Sequence, residues 1–145
     1  TIGIRVASIG DYAFYERYRL KDLYFKGNAP ELGGYWVFGY PTPTAYYLPG
    51  TAGWGATLGD LRTAPWPLPA PLIFSNAPRF GMQTNRFGFT ISWATNVPVV
   101  VEASTSLSHP VWLPVSTNSL NSGSAYYSDP DWKSHPTRFY RVRSR

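Results

Sequence analysis

The chain has no cysteine and a single methionine. Disulfides, thiol nucleophiles and cysteine metal sites are thereby excluded, and the redox compartment stays open. Charged residues are few, at 14% of 145, and no apolar run is long enough to cross a bilayer as a helix. The opening TIGIRVASIG lacks the charged, apolar and cleavage regions of a secretory leader, so the expectation is an intracellular chain or one whose leader has been removed. His109 and His135 each precede a proline, and neither has a second histidine at ligand spacing; no metal and no cofactor are expected. GTAGWG, Gly50–Gly55, is glycine-rich but lacks the lysine and the flanking strand and helix of a phosphate loop. Ser128, Asp129 and His135 can be composed into a triad on paper, yet no Gly-x-Ser-x-Gly nucleophile turn exists.

Aromatics are abundant instead, at 17%, and they outnumber leucine and isoleucine together. A core short of aliphatics must be filled with rings, and a surface short of charge must rely on Ser, Thr and Asn; both point to a mainly β, surface-exposed protein. The net charge of +5 gathers toward the C-terminus, where TRFYRVRSR places Arg138, Arg141, Arg143 and Arg145 among Phe139, Tyr140 and Val142. Such a stripe can grip phosphates and stack bases. A terminal strand explains it better, with Tyr140 and Val142 facing inward and the arginines outward, where they discourage edge pairing. No nucleic-acid partner is expected.

Prolines at 65, 67, 69 and 71 in APWPLPAPLIF hold the chain extended and deny it donors, which marks residues 67–79 as a stiff connector. Residues 80–145 then show period two. FGFTISW sets Phe87, Phe89, Ile91 and Trp93 on one face, and VPVVVEAST follows after a turn at Thr95–Asn96. VWLPVST, SAYYSD and RFYRVRS add three strands, separated by turn-rich NSLNSG and DPDWKSHP. Five short strands predict a small antiparallel sandwich or barrel, of which the β-sandwich is the expectation adopted, with Pro98 and Pro114 at strand starts or edges. Glu102 is expected on the polar face beside Ser104; were it buried, desolvation would raise its proton affinity.

Residues 1–66 follow neither a clean helical nor a clean strand period. Val6, Ile9, Ala13, Phe14, Leu20, Leu23 and Phe25 have the irregular spacing of a coil whose strand, turn and return all point at one core. Here VASIGDYAFYERYRLKDLYFKGNAP resembles a unit of the BspA-like bacterial surface leucine-rich repeats, through Ile9, Gly10, Ala13, Phe14, Leu20, Leu23 and Phe25. Gly27-Asn28-Ala29-Pro30, Tyr46-Tyr47-Leu48-Pro49-Gly50 and Gly53-Trp54-Gly55 resemble the tail that closes such arrays, and the second half resembles a C-terminal β module of secreted proteins from the same bacteria. The resemblance implies a terminal leucine-rich-repeat coil with a cap, secreted or displayed at a cell surface. The chain departs from the pattern at Glu16-Arg17-Tyr18-Arg19, where a small turn is usual. That charged segment puts tight stacking on a following coil in doubt.

The cap reading rests on Tyr46–Trp66. Gly50, Gly53, Gly55 and Gly59 let the backbone lie close to the coil beneath, while Tyr46, Tyr47, Trp54 and Trp66 bury large areas over an edge that would otherwise face water. With little more than one repeat ahead of it, the array is expected to be a fragment or to self-associate through an open repeat edge.

The functional expectation is a non-catalytic adhesion or recognition module that binds protein or glycan. Rings can stack on sugars or anchor an interface, and the candidates are Tyr46, Tyr47, Trp54, Trp66, Tyr126, Tyr127 and Trp132. Two other classes compete. One is a carbohydrate-active protein, either an accessory binding module or a glycoside hydrolase with a carboxylate pair drawn from Asp11, Glu16, Asp22 and Glu31. The other is a purely structural terminus that caps or sorts a larger protein.

Overall fold

The computed structural model describes residues 1–75 and 79–145. It is mainly β; among the described residues the helical content is one short 3-10 turn at Trp132–Ser134, and no helix is long and apolar enough to cross a membrane. The chain divides into two compact units, Thr1–Trp66 and Pro67–Arg145.

The first unit is a stack of turns. Its strands are β1 (Ser8–Ile9), β2 (Asp22–Phe25), β3 (Glu31–Leu32), β4 (Thr44–Tyr47), β5 (Thr57–Leu58) and β6 (Leu61–Pro65). β2, β4 and β6 form a parallel ladder, with Tyr24 opposite Tyr46 and Tyr46 opposite Ala64. β1 pairs with β3 in parallel as well, Ser8 opposite Glu31, and Phe14 bridges to Phe38. Because the pairing recurs at several points around each circuit, whole turns of 22 to 24 residues lie on one another, until the last shortens to 18.

This arrangement buries one side of every turn. Ile9, Leu23, Phe25, Val37, Phe38, Ala45, Leu58 and Leu61 form the core, with Phe14, Leu20, Leu32 and Trp54 packed against it. Alternation explains the choice: Leu23 and Phe25 point in, and Tyr24 between them points out.

Two expectations change. The segment after Gly27, expected as the closing tail of one coil with its lid at Tyr46–Trp66, supplies the second and third turns itself, so the stack reaches the length at which such arrays become stable. Glu16–Arg19 does not prevent stacking. It bulges outward and is exposed, while Phe14 and Phe38 remain stacked at 5.7 Å. The terminal edge is covered further along, by the short antiparallel hairpin of β5 and β6. Its two-residue loop begins at Gly59, whose φ of +57° favours glycine, and a Cβ there would also run into Leu32.

Tyr46–Trp66 is held closely to the turn before it. Ala29 N donates to Ala52 O, Ala52 N donates to Asn28 Oδ1, and the Trp54 indole donates to Gly27 O.

The second unit contains β7 (Leu72–Phe74), β8 (Gly81–Gln83), β9 (Arg86–Ser92), β10 (Val99–Ser104), β11 (Leu113–Asn118), β12 (Ser124–Asp129) and β13 (Phe139–Ser144). They form two antiparallel sheets, ordered β11-β10-β13 and β12-β9-β7, with β8 also on β9. Phe89 and Ile91 from β9 meet Val99 and Val101 from β10 and Tyr127 from β12 in one core, so the sheets form two layers around it. All five expected strands are present. Pro98 stands just before β10, and Pro114 lies on edge strand β11 at a register shift. The segment expected as a connector contributes an edge strand, because Leu72–Phe74 pairs with β9 once the alternate prolines end; its residues 76–78 lie outside the described residues.

Candidate functional site

The parallel sheet of the first unit presents its outward face as two rows. Register places Asp22 beside Thr44, and Arg62 stands on β6 one residue before Thr63, the partner of Ala45, so that the three make a polar row. Next to it runs an aromatic row, Tyr24 opposite Tyr46, with Trp66 just past the end of β6. Tyr24 and Tyr46 stack at 5.2 Å and 15°, and Trp66 lies 4.9 Å from Tyr24. Trp66 is fixed by its backbone N, which donates to Tyr47 O at 2.7 Å. None of the three belongs to the core cluster, and each is half-buried. Rings beside hydroxyl, carboxylate and guanidinium groups are the components of a surface that stacks on a ligand and orients its polar groups.

The seven aromatic residues singled out from the sequence separate into distinct environments. Tyr46 and Trp66 stand in the outward row. Tyr47 and Trp54 stack on each other at 5.1 Å, and Trp54 meets Phe25 edge-on at 5.0 Å, so these two seal the end of the core. In the second unit Tyr127 is 5% exposed and belongs to the core, which leaves no ring face for a ligand. Burial pushes its hydroxyl up to about 12. Tyr126 is half-buried, with its hydroxyl over Gly88 and the Arg79 guanidinium 5.7 Å above its ring. Trp132 is tied by its indole N–H to Asn85 O.

Sequence reasoning missed Tyr24. The signal was there: Tyr24-Phe25 and Tyr46-Tyr47 are equivalent positions one turn apart, and a comparison of the chain with itself at that offset pairs them.

The charged groups are largely structural. Glu102 is 5% exposed, contrary to its expected place on an open polar face. Arg143 Nε donates to Oε1 at 2.8 Å and Arg141 Nε to Oε2 at 2.7 Å. Arg143 and then Arg141 hold its carboxyl below the usual range, outweighing the desolvation that acts the other way. Arg141 also lies 4.5 Å over Trp112. Arg138 meets Asp129 Oδ2 at 2.9 Å, and the same carboxylate accepts from Tyr140 OH at 2.6 Å. Burial first, and that hydrogen bond second, raise the Tyr140 hydroxyl. Three of the four C-terminal arginines are thus committed to internal carboxylates rather than offered as a phosphate-binding stripe.

Of the carboxylates considered for glycoside hydrolysis, Asp11 accepts from Tyr35 N at 3.2 Å and so helps hold one turn on the next. Asp22 lies on the outward sheet face and Glu31 pairs in β3. Among the described residues no group of three acidic or histidine side chains gathers to hold a metal.

No protein-family model matches this chain, and neither does any curated protein or solved structure.

Proposed function

We propose that this chain is a non-catalytic recognition or adhesion module of a secreted or cell-surface bacterial protein, binding protein or glycan through the outward face of its parallel sheet. The observation that carries this reading is the row Tyr24, Tyr46 and Trp66 lying beside Asp22, Thr44 and Arg62. A face needed only for solubility gains nothing from three adjoining rings, whereas a ligand gains both apolar contact and directed hydrogen bonds.

A terminal leucine-rich-repeat array fits the same geometry. Ile9, Leu23 and Phe25, three residues of the repeat resemblance, are buried in the core, and the turn length of 22 to 24 residues lies in the range of such repeats. The hairpin over the last turn supports a closing role at that end.

The test is a screen of the purified chain against immobilised glycans and extracellular-matrix proteins, with Tyr46→Thr and Trp66→Ala as controls. The expected result is capture by at least one ligand and about tenfold weaker capture for the double variant, which keeps its β circular dichroism. No capture, or equal capture by the double variant, overturns the assignment.

A further inference from the structure

Two residues one turn apart share an unusual backbone. Tyr12 and Trp36 both have left-handed φ, +57° and +42°. They are equivalent in the stack, because Phe14 bridges to Phe38 and Tyr12 N donates to Tyr35 O. Glycine or asparagine adopts that backbone at lower cost, yet each position carries a large ring. Those rings are not there for burial: Tyr12 is 57% exposed and Trp36 58%. Tyr15 joins them, meeting Tyr12 edge-to-face at 5.6 Å and Trp36 at 5.9 Å. The result is an exposed aromatic cluster running from one turn to the next.

Two clefts border it. One of about 280 Å³ is lined by Tyr12, Tyr15, Glu16 and Arg17, and one of about 460 Å³ includes Tyr35, Trp36, Tyr40 and Asp60. The larger falls in the size range of small-ligand sites, and the smaller lies just below it. Charges of both signs border the rings, which favours a neutral ligand rich in hydroxyls over an anion or a cation. Interfaces between proteins, by contrast, are depleted of charge at their centre. Adjacent strands in a sheet lie about 4.8 Å apart, a distance on the order of one pyranose ring, so consecutive sugars can meet consecutive turns.

We propose that Tyr12, Tyr15 and Trp36 form a binding site for a neutral oligosaccharide chain, with pyranose faces stacked on the rings and hydroxyls taken by Glu16, Arg17 and Asp60. The site shares no residue with the sheet face, so either assignment can fail without the other.

Glycine supplies the test, since Tyr12→Gly and Trp36→Gly remove the rings while suiting the left-handed backbone. Affinity electrophoresis and titration calorimetry with hydroxyethylcellulose, galactomannan and arabinoxylan are the readouts, with anionic polygalacturonate as the control. The native chain is expected to bind at least one neutral polymer. Trp36→Gly should bind about tenfold more weakly with an unchanged or higher Tm, and Val111→Ser, at an exposed position of the second unit, should bind as the native chain does. Four results overturn the site: no binding to any neutral polymer, equal binding by the glycine variants, preference for polygalacturonate, or a fall in Tm for Trp36→Gly without loss of binding. Binding of a protein rather than a glycan through these rings would overturn it too.

Discussion

At the residue scale, glycine and the buried ionisable groups decide most of what can be measured. Gly59 combines a left-handed φ with contact against Leu32, so Gly59→Ala should cost about 1–3 kcal/mol in thermal or urea unfolding. Glu102 gives an acid-side prediction. Its folded value is lowered by Arg143 and Arg141, so its contribution is present above the ordinary value of 4.5 and is lost as pH falls through the folded one. Glu102→Gln should therefore be less stable than the parent at neutral pH, with the difference shrinking as pH drops below about 4.5 in pH-dependent denaturation. Tyr127 has the opposite sign. Its hydroxyl is raised from 10.0 to about 12, so the folded state favours the neutral form, and the stability it contributes is full below pH 10 and lost as pH rises toward 12. Spectrophotometric titration should show two tyrosines fewer, Tyr127 and Tyr140, ionising near pH 10 in the folded parent than in the unfolded chain, and Tyr127→Phe should remove part of the alkaline destabilisation.

At the scale of elements, period-two patterning was readable wherever a strand had one face in a core. Phe87, Phe89 and Ile91 behaved as read, and so did Tyr140 and Val142 on β13. β10 did not: its six residues are all buried, because Arg141 and Arg143 from the neighbouring strand lie over Glu102 on the face that alternation would leave open. Hydrogen exchange should find the β10 amides among the most protected of the second unit, since that strand is paired on both sides. β7 was hidden by the alternate prolines that lead into it, which end at Pro71 just before the strand takes its place at the sheet edge.

At the scale of the whole molecule, two units with separate cores imply separable unfolding. Phe25→Ala, in the first core, and Phe89→Ala, in the second, should each cost about 3–5 kcal/mol. Calorimetry is expected to show each variant lowering a different transition. A single transition shifted alike by both would mean that the units unfold as one.

The composition alone pointed to a mainly β protein and excluded thiol chemistry, but its expectation of an interior filled by rings did not hold: among the described residues Leu, Ile, Val and Ala make up most of the buried hydrophobics, and most rings stay partly or fully exposed. Local pattern located five of the seven described strands of the second unit and most of the inward residues of the first turn, though not Val6 and Ala13, which are exposed, because alternation and spacing are properties of neighbours along the chain. Tertiary structure decided what depends on residues far apart in sequence. Only stacking made the segment after Gly27 two further turns, set Tyr24 beside Tyr46 on an outward face, and turned Tyr47 and Trp54 toward each other. A ring gives the same sequence signal whether it seals a core or meets a ligand; the difference is made by which turn lies against it, and that is fixed by contacts some 22 residues away.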